Sequence, residues 1–136
     1  VFHAIDGTRI EASGFSSIDV VGLATATGAP NVQFNLATGI SSSRRRGATK
    51  STEIIIELEG EDQKGSSLRT RHAVFHPAGA APLTALGVSM ILERLIGLDG
   101  SPATAPGLYF PYQVIDHEKY LARLFNEGGS LQRIDN

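Results

Sequence analysis

The stretch from Thr52 to Ile96 constrains the fold most, because its hydrophobic period changes from two residues to 3.6 within it. Thr52–Glu59 (TEIIIELE) and Ser67–Phe75 (SLRTRHAVF) alternate apolar and polar residues, and the polar turn EDQKGS joins them. Alternation of this kind is typical of half-buried strands. After the breaker run HPAGAAP, Leu83–Ile96 (LTALGVSMILERLI) follows helical spacing. The pattern predicts a β-hairpin followed by a helix that covers it.

The charged residues of the hairpin predict its strand register. In-phase pairing around the turn places Glu57 and Glu59 near Arg69 and Arg71. Cross-strand ion pairs contribute about 0.2–1 kcal/mol each, and a one-residue slip would turn the apolar set outward. We therefore interpret these residues as paired charges on an outer sheet face rather than as an acid–base pair. His72 falls on the apolar side, which favours a hydrogen-bonded core or edge histidine.

Shorter elements are predicted on either side of this stretch, from turn, capping and alternation signals. They are a hairpin turning at Asp6-Gly7, a helix from Ser16 or Ser17 to about Thr25 that ends at Gly28, a strand at Asn31–Ala37, an edge strand or extended segment at Gly107–Pro111, a helix capped by Asp116 and closed by Gly128-Gly129, and a last strand at Ser130–Ile134. Together they predict one α+β domain over residues 1–136, with a mixed, largely antiparallel sheet covered by helices.

Composition narrows the function classes. The net charge of −2 gives no general attraction to nucleic acid or to anionic membranes. The chain has no Cys, which excludes disulfides and thiolate chemistry and fits a reducing, cytoplasmic compartment. No apolar run approaches the ~20 residues that span a bilayer. The chain starts at Val1 in mid-strand, from which we expect it to be a piece of a longer protein.

Several catalytic motifs are missing from the sequence. It has no G-x-G-x-x-G turn between a strand and a helix, no G-x-x-x-x-G-K-[ST] loop and no G-x-S-x-G elbow. The four His residues show no zinc-ligand spacing, so we predict no metal site. A substrate-binding or dimerisation domain, with any cofactor domain elsewhere in the protein, is the class that remains.

Candidate substrate contacts follow from position. His76 lies in the connection after the second hairpin strand, and Thr84 lies near the start of the helix that follows. Loops between rigid elements often carry binding residues. Arg44, Arg45 and Arg46 lie in an aperiodic segment, residues 39–50, that we interpret as an exposed mobile loop. Three adjacent Arg residues are also suited to binding a carboxylate or phosphate, and both interpretations stay open.

Four segments in order resemble the second domain of saccharopine dehydrogenase-like oxidoreductases. They are FSSIDVVGLATATGAPNVQFNLA, TEIIIELEGEDQKGSSLRTRHAVFHPAG, LTALGVSMILERLIG and PGLYFPYQVIDHEKYLARLFNEGG, which are similar to the family's "TG-P-N" turn, "V-x-G-x-D-x-G" hairpin, "TA-x-A" helix and "PG-x-x-x-PE" segment. The resemblance covers roughly residues 9–134. At the last motif this chain has Pro111-Tyr112 where the family often has Pro-Glu.

The resemblance implies a fold and a role. Family members bind NAD or NADP in an N-terminal Rossmann domain that this chain lacks, so no cofactor is expected to bind here. Their second domain resembles the glyceraldehyde-3-phosphate dehydrogenase catalytic domain, lines the cleft for a small amino-acid-like or carboxylate substrate and often forms the homodimer. The resemblance thus implies part of an oxidoreductase that is inactive alone, without nucleic-acid or membrane partners.

Two other hypotheses compete with the hypothesis that this chain is part of an oxidoreductase. The chain is alternatively a non-catalytic interaction or oligomerisation domain, in which the sheet and the Leu83–Ile96 helix serve assembly. A third hypothesis assigns the run Arg44–Arg46 to a nucleic-acid contact.

Overall fold

A computed structural model describes residues 1–134 as a set of helices and antiparallel strands, which confirms the α+β class. The strands are β1 (Phe2–His3), β2 (Arg9–Ile10), β3 (Ser13–Gly14), β4 (Asn35–Leu36), β5 (Thr52–Glu61), β6 (Ser67–His76) and β7 (Ser130–Arg133). The helices are α1 (Ile18–Thr27), α2 (Ser42–Arg45), α3 (Ala80–Leu95), α4 (Pro111–Val114) and α5 (His117–Asn126). The strands form three small sheets, β1-β2, β3-β4 and β5-β6-β7.

The β5–β6 hairpin has the predicted register. Glu57 pairs with Arg71 and Glu59 pairs with Arg69. The Arg71 Nε lies 2.8 Å from a Glu57 oxygen, and the Arg69 Nε lies 3.1 Å from a Glu59 oxygen. Both strands are longer than the alternation alone predicts: β5 continues to Glu61, which pairs with Ser67, and β6 continues to His76, which pairs with Thr52. β7 adds to the other edge of β6, as the predicted last strand.

The core lies where α3 and α5 cross one end of this sheet. Leu83, Leu86 and Met90 of α3 meet Leu124 of α5, which is 1% exposed. Their spacing of three and four residues puts the α3 side chains on one stripe of the helix. Val74 of β6 packs against this cluster and joins the sheet to the helices.

The predicted helix caps are confirmed. The Ser17 side chain accepts from the Asp19 N–H at the start of α1, and Gly28 ends the helix with φ 69°. That left-handed conformation favours glycine. The Asp116 side chain accepts from the Glu118 and Lys119 N–H groups at the start of α5. Capping depends on neighbouring residues only, which is why sequence alone locates it.

Three predicted elements differ from the structure. Within residues 31–37 only Asn35–Leu36 forms a strand, which pairs with β3 and leaves the rest of the segment irregular. Gly107–Pro111, predicted as an edge strand or an extended segment, forms no strand: Phe110 is extended and is the N-cap of α4, and Pro111 is the first residue of that helix. Proline suits that position, because its missing N–H has no helical partner there. The predicted loop 39–50 contains the short helix α2.

The two faces of the β5–β6 hairpin carry different parts of the chain. Val74 and its neighbours at even positions face α3 and α5, whereas Glu53 and Arg71 at odd positions face the N-terminal segments. The Arg71 guanidinium donates to the His3 carbonyl and is buried. The predicted outer charged face is therefore covered at this point, because the Arg and Glu side chains bind backbone groups of β1 and α2.

Candidate functional site

Helix α3 is apolar on two sides, and only one of them is covered. The outer stripe of α3 consists of Ala81, Ala85, Val88, Leu92 and the C-cap residue Ile96, all of which are exposed, Val88 by 51%. A shallow groove of about 790 Å³ runs along it. A helix that is hydrophobic all round is normally buried on all sides. The outer stripe is therefore the first candidate for a functional surface.

The polar groups of this groove already have partners within the chain. Glu93 accepts from Arg123 at 2.7 Å and from Ser89 at 3.0 Å. The Arg123 guanidinium is the main cause that lowers the pKa of Glu93, so its carboxylate is ionised at neutral pH. The Thr84 hydroxyl donates to the Ala80 carbonyl at 3.4 Å within its own helix. The groove accordingly offers a mainly apolar contact surface with little to orient a polar ligand.

A second exposed apolar surface lies on the same hairpin that carries the core. The hairpin overhang consists of Ile54, Ile56, Leu58 and Leu68, which occupy even positions, are exposed, and are not among the residues that pack against the α3–α5 core. Leu58 is 51% exposed. The alternating pattern assigned these residues to a buried face, since alternation predicts which side is apolar and not how far the covering helix extends.

His76 is the last residue of β6 and is only 3% exposed, which differs from the predicted loop position. Its Nδ1 accepts from the Ala78 N–H at 3.2 Å, so Nε2 carries the proton of the neutral ring. Within residues 1–134 this Nε2 has no hydrogen-bond partner. The buried ring contacts the turn that leads into α3 through the Ala78 N–H.

The three arginines lie in or beside α2, with Arg44 and Arg45 in its last turn and Arg46 as its C-cap. Arg45 forms a bidentate pair with Asp6, at 2.8 Å for each bond, and also donates to the Ile40 carbonyl. The Arg45 hydrogen bond is the main cause that holds the pKa of Asp6 far below its usual range. Arg45 thus joins α2 to the first hairpin, while Arg44 and Arg46 are exposed.

The predicted site residues do not converge on one pocket. Helix α2 is bound to Glu53, because the Ser42 N–H and hydroxyl both donate to that carboxylate. Glu53 lies on the face of the hairpin opposite Val74, and Val74 is the residue that contacts the α3 and α5 core. The arginines and Thr84 therefore belong to opposite sides of the sheet. Thr84 alone, among the predicted contacts, lines the α3 groove.

The chain exposes much more surface than its mass predicts. Its accessible surface is 9538 Å². A folded monomer of 14.4 kDa exposes about 6,800 Å² by the usual scaling of surface with mass. The excess is about 2,700 Å² by that scaling, and the outer stripe of α3 and the hairpin overhang are apolar parts of the exposed surface.

Comparison with protein-family models gives no match, and comparisons with curated proteins and with solved structures give none either. The resemblance to the saccharopine dehydrogenase-like family therefore stays a prediction from the motifs. Among residues 1–134, no three His, Asp or Glu side chains lie close enough together to hold a metal ion. In the same part of the chain, no helix combines the length and apolar composition that crossing a membrane requires.

Proposed function

We propose that this chain is an assembly domain that works with its exposed apolar surface covered by another protein surface. The excess of accessible surface carries this proposal. A typical specific interface buries about 800 Å² per partner, and obligate interfaces bury more. The excess of about 2,700 Å² over a compact monomer leaves room for an interface of either kind.

The nature of the exposed residues supports the same conclusion. Contiguous apolar patches larger than a few hundred Å² are rare on monomeric proteins and mark interaction sites. Here two exposed apolar surfaces, the outer stripe of α3 and the hairpin overhang, lie on elements that also build the core. Both are placed on rigid regular elements, and a partner surface therefore finds them in a fixed shape.

The proposal is tested by sedimentation and by binding of the dye ANS, which reports exposed apolar surface. We expect the purified chain either to associate at micromolar concentration or to bind ANS as a folded monomer. The paired change Ile56→Thr and Leu58→Thr should reduce the signal, because it removes apolar area while placing threonine, a β-branched residue that suits strands, at both positions. The matched control is Glu59→Thr on the opposite face. A folded monomer that binds no ANS contradicts the proposal.

A second candidate is the one that the sequence motifs favour. In it the chain is the substrate-binding and dimerisation domain of a saccharopine dehydrogenase-like, NAD(P)-dependent oxidoreductase, with the cofactor in a separate domain. The motif resemblance implies a small amino-acid-like or carboxylate substrate, and Thr84 is the predicted contact that lines the α3 groove. The lack of Cys fits the predicted cytoplasmic location. We expect no NADH binding to this chain by calorimetry, and micromolar binding would contradict this candidate.

A further inference from the structure

We propose that the outer edge of β5 binds an extended segment of another protein as an additional antiparallel strand. The bound segment alternates apolar and basic residues, so that its apolar side chains lie beside the hairpin overhang and its basic side chains lie beside the glutamates of β5. The inference rests on the proposed assembly function and names the partner that it requires. Three observations support it: an open strand edge, an exposed apolar row and an acidic row.

The strand β5 is the end strand of its sheet. The strand order is β5-β6-β7, so β5 has a neighbouring strand on one side only. Residues 56–61 are all exposed. Apart from the ladder with β6, no backbone hydrogen bond within residues 1–134 involves residues 52–61. An edge of this kind presents unpaired N–H and C=O groups, which form a template for another strand.

The outward-pointing backbone groups belong to the odd-numbered residues of β5. In an antiparallel ladder, alternate residues direct both of their backbone groups to the same neighbouring strand. The Ile134 N–H donates to the Arg71 carbonyl, so odd-numbered residues of β6 point toward β7 and even-numbered ones toward β5. Even-numbered residues of the two strands pair with each other, as Ile56 does with His72. The odd-numbered residues from Ile55 to Glu61 therefore point to the open edge.

The apolar row of this edge is the part of the hairpin overhang that belongs to β5. Ile54, Ile56 and Leu58 are exposed and share the even-numbered face. Even-numbered residues of β5 would occupy the non-hydrogen-bonded pairs of a new antiparallel ladder, in which opposite side chains lie closest together. Apolar residues at every second position of a bound strand would therefore cover this row from the side opposite Leu68.

The odd-numbered face of the same edge carries more acidic than basic groups. Glu57, Glu59 and Glu61 lie on it, with Arg69 as the exposed cation and Arg71 buried. Arg69 is shared between two of these glutamates, and Glu61 has no ion-pair partner within residues 1–134. Both arginines belong to β6, on the inner side of β5. Basic residues of a bound strand would approach from the other side and form stabilising cross-strand pairs.

The same charges disfavour a second copy of this chain as the bound strand. In an antiparallel ladder, residues that point outward pair with residues that point outward. Two copies of β5 would therefore set glutamates opposite glutamates, and like charges directly opposite each other destabilise a sheet. The edge thus rejects its own copy by repulsion and accepts a strand of opposite charge.

The first test is calorimetric titration of the whole chain with two synthetic eight-residue peptides. One alternates valine and lysine, and the other alternates valine and glutamate. We expect the valine–lysine peptide to bind, and the valine–glutamate peptide to bind at least about 10-fold more weakly, because each cross-strand charge pair becomes repulsive. Equal binding of the two peptides, or no binding of the valine–lysine peptide, overturns the inference.

Backbone methylation of the peptide distinguishes strand pairing from a general attraction between charges. In the antiparallel ladder, the lysines lie opposite the outward-pointing glutamates, so the lysine N–H groups point to β5 and the valine N–H groups point away. N-methylation of the lysine residues should abolish binding, and N-methylation of the valine residues should largely preserve it. Both peptides keep their charges and side chains. Equal effects of the two methylations, or a larger effect at valine, would contradict the arrangement.

Variants of the chain locate the peptide on β5. The paired change Glu59→Lys and Glu61→Lys should weaken binding of the valine–lysine peptide about 10-fold and strengthen binding of the valine–glutamate peptide. The matched control is Glu118→Lys with Glu127→Lys, which changes the net charge equally at exposed positions in and after α5. Bound peptide should also slow hydrogen exchange of the Ile55 amide. Equal weakening by both pairs, or unchanged exchange at Ile55, overturns the inference.

The two proposals can fail separately. If the chain associates or binds ANS but does not bind the valine–lysine peptide, the assembly function stands and the β5 inference is wrong. If the chain is a folded monomer that binds neither ANS nor the peptide, both are wrong.

Discussion

The two faces of the β5–β6 hairpin hold the rest of the molecule by different physical means. The even-numbered face binds α3 and α5 through apolar packing around Val74 and Leu124. The odd-numbered face binds β1 and α2 through polar contacts of Glu53 and Arg71. The apolar face is only partly covered, and its uncovered part is the hairpin overhang. The charged face, which the alternation predicts to be exposed, is partly covered.

The difference shows that side-chain polarity did not decide which face is covered. Long charged side chains reach backbone groups of segments that have no apolar stripe of their own, and such hydrogen bonds to charged groups are the stronger ones. Apolar side chains are covered only where a helix reaches them. The even-numbered face thus keeps exposed apolar area, whereas Glu53 and Arg71 on the odd-numbered face are hydrogen-bonded within the chain. We therefore assign assembly to the even-numbered face.

The largest expected loss of stability comes from a substitution in the core that packs on the even-numbered face. Leu124→Ala should lower the free energy of unfolding by about 2–5 kcal/mol, because Leu124 is buried among the α3 side chains and its removal leaves a cavity. Leu131→Ala is the control, since Leu131 belongs to the same sheet but is exposed, and about 1 kcal/mol or less is expected. Urea unfolding measures both. Equal losses would show that the core is not centred on Leu124.

A smaller loss of stability is expected from a substitution on the odd-numbered face. Glu53→Ala should lower the free energy of unfolding by about 1–3 kcal/mol, because the buried Ser42 N–H and hydroxyl lose their acceptor. It should also speed proteolytic cleavage within residues 1–50, which Glu53 holds against the sheet through Ser42 and the Ile5 N–H. Glu61→Ala, at the exposed end of the same strand, is the control. Unchanged cleavage would mean that Arg71 holds these segments alone.

The smallest effect is a pH dependence confined to the polar side. The hydrogen bond from Arg45 lowers the pKa of Asp6, so the folded state favours the carboxylate. The stabilisation is complete above the unfolded value of about 3.8 and is lost as the pH falls below it toward the folded pKa. Asp6→Asn should lower the thermal midpoint at pH 7 and flatten its decline below pH 4. Glu11→Gln, an exposed acid nearby, is the control; equal curves for both variants would contradict the role of the Arg45 pair.

The candidate site was predictable only in part. Thr84 lines the α3 groove, and its role as a substrate contact stays a prediction, whereas His76 belongs to the strand and is buried. Val88 and Leu92 are recognisable from the sequence as apolar helical residues beside the main stripe. Their exposure cannot be recognised from the sequence, because a helix with two apolar sides gives no local signal of which side another element will cover.

By itself, the sequence determined the features that depend on neighbouring residues. These are the caps Ser17 and Asp116, the hairpin turn before Ser67 and the pairing of Glu57 with Arg71. Short-range hydrogen bonds and a period of two or 3.6 residues specify them. Only the tertiary structure decided how far α3 and α5 extend over the sheet, and therefore which apolar residues remain exposed. The hydrophobic effect is non-directional, so it does not select which distant segment covers a given apolar stripe. That choice is made only when the whole chain packs.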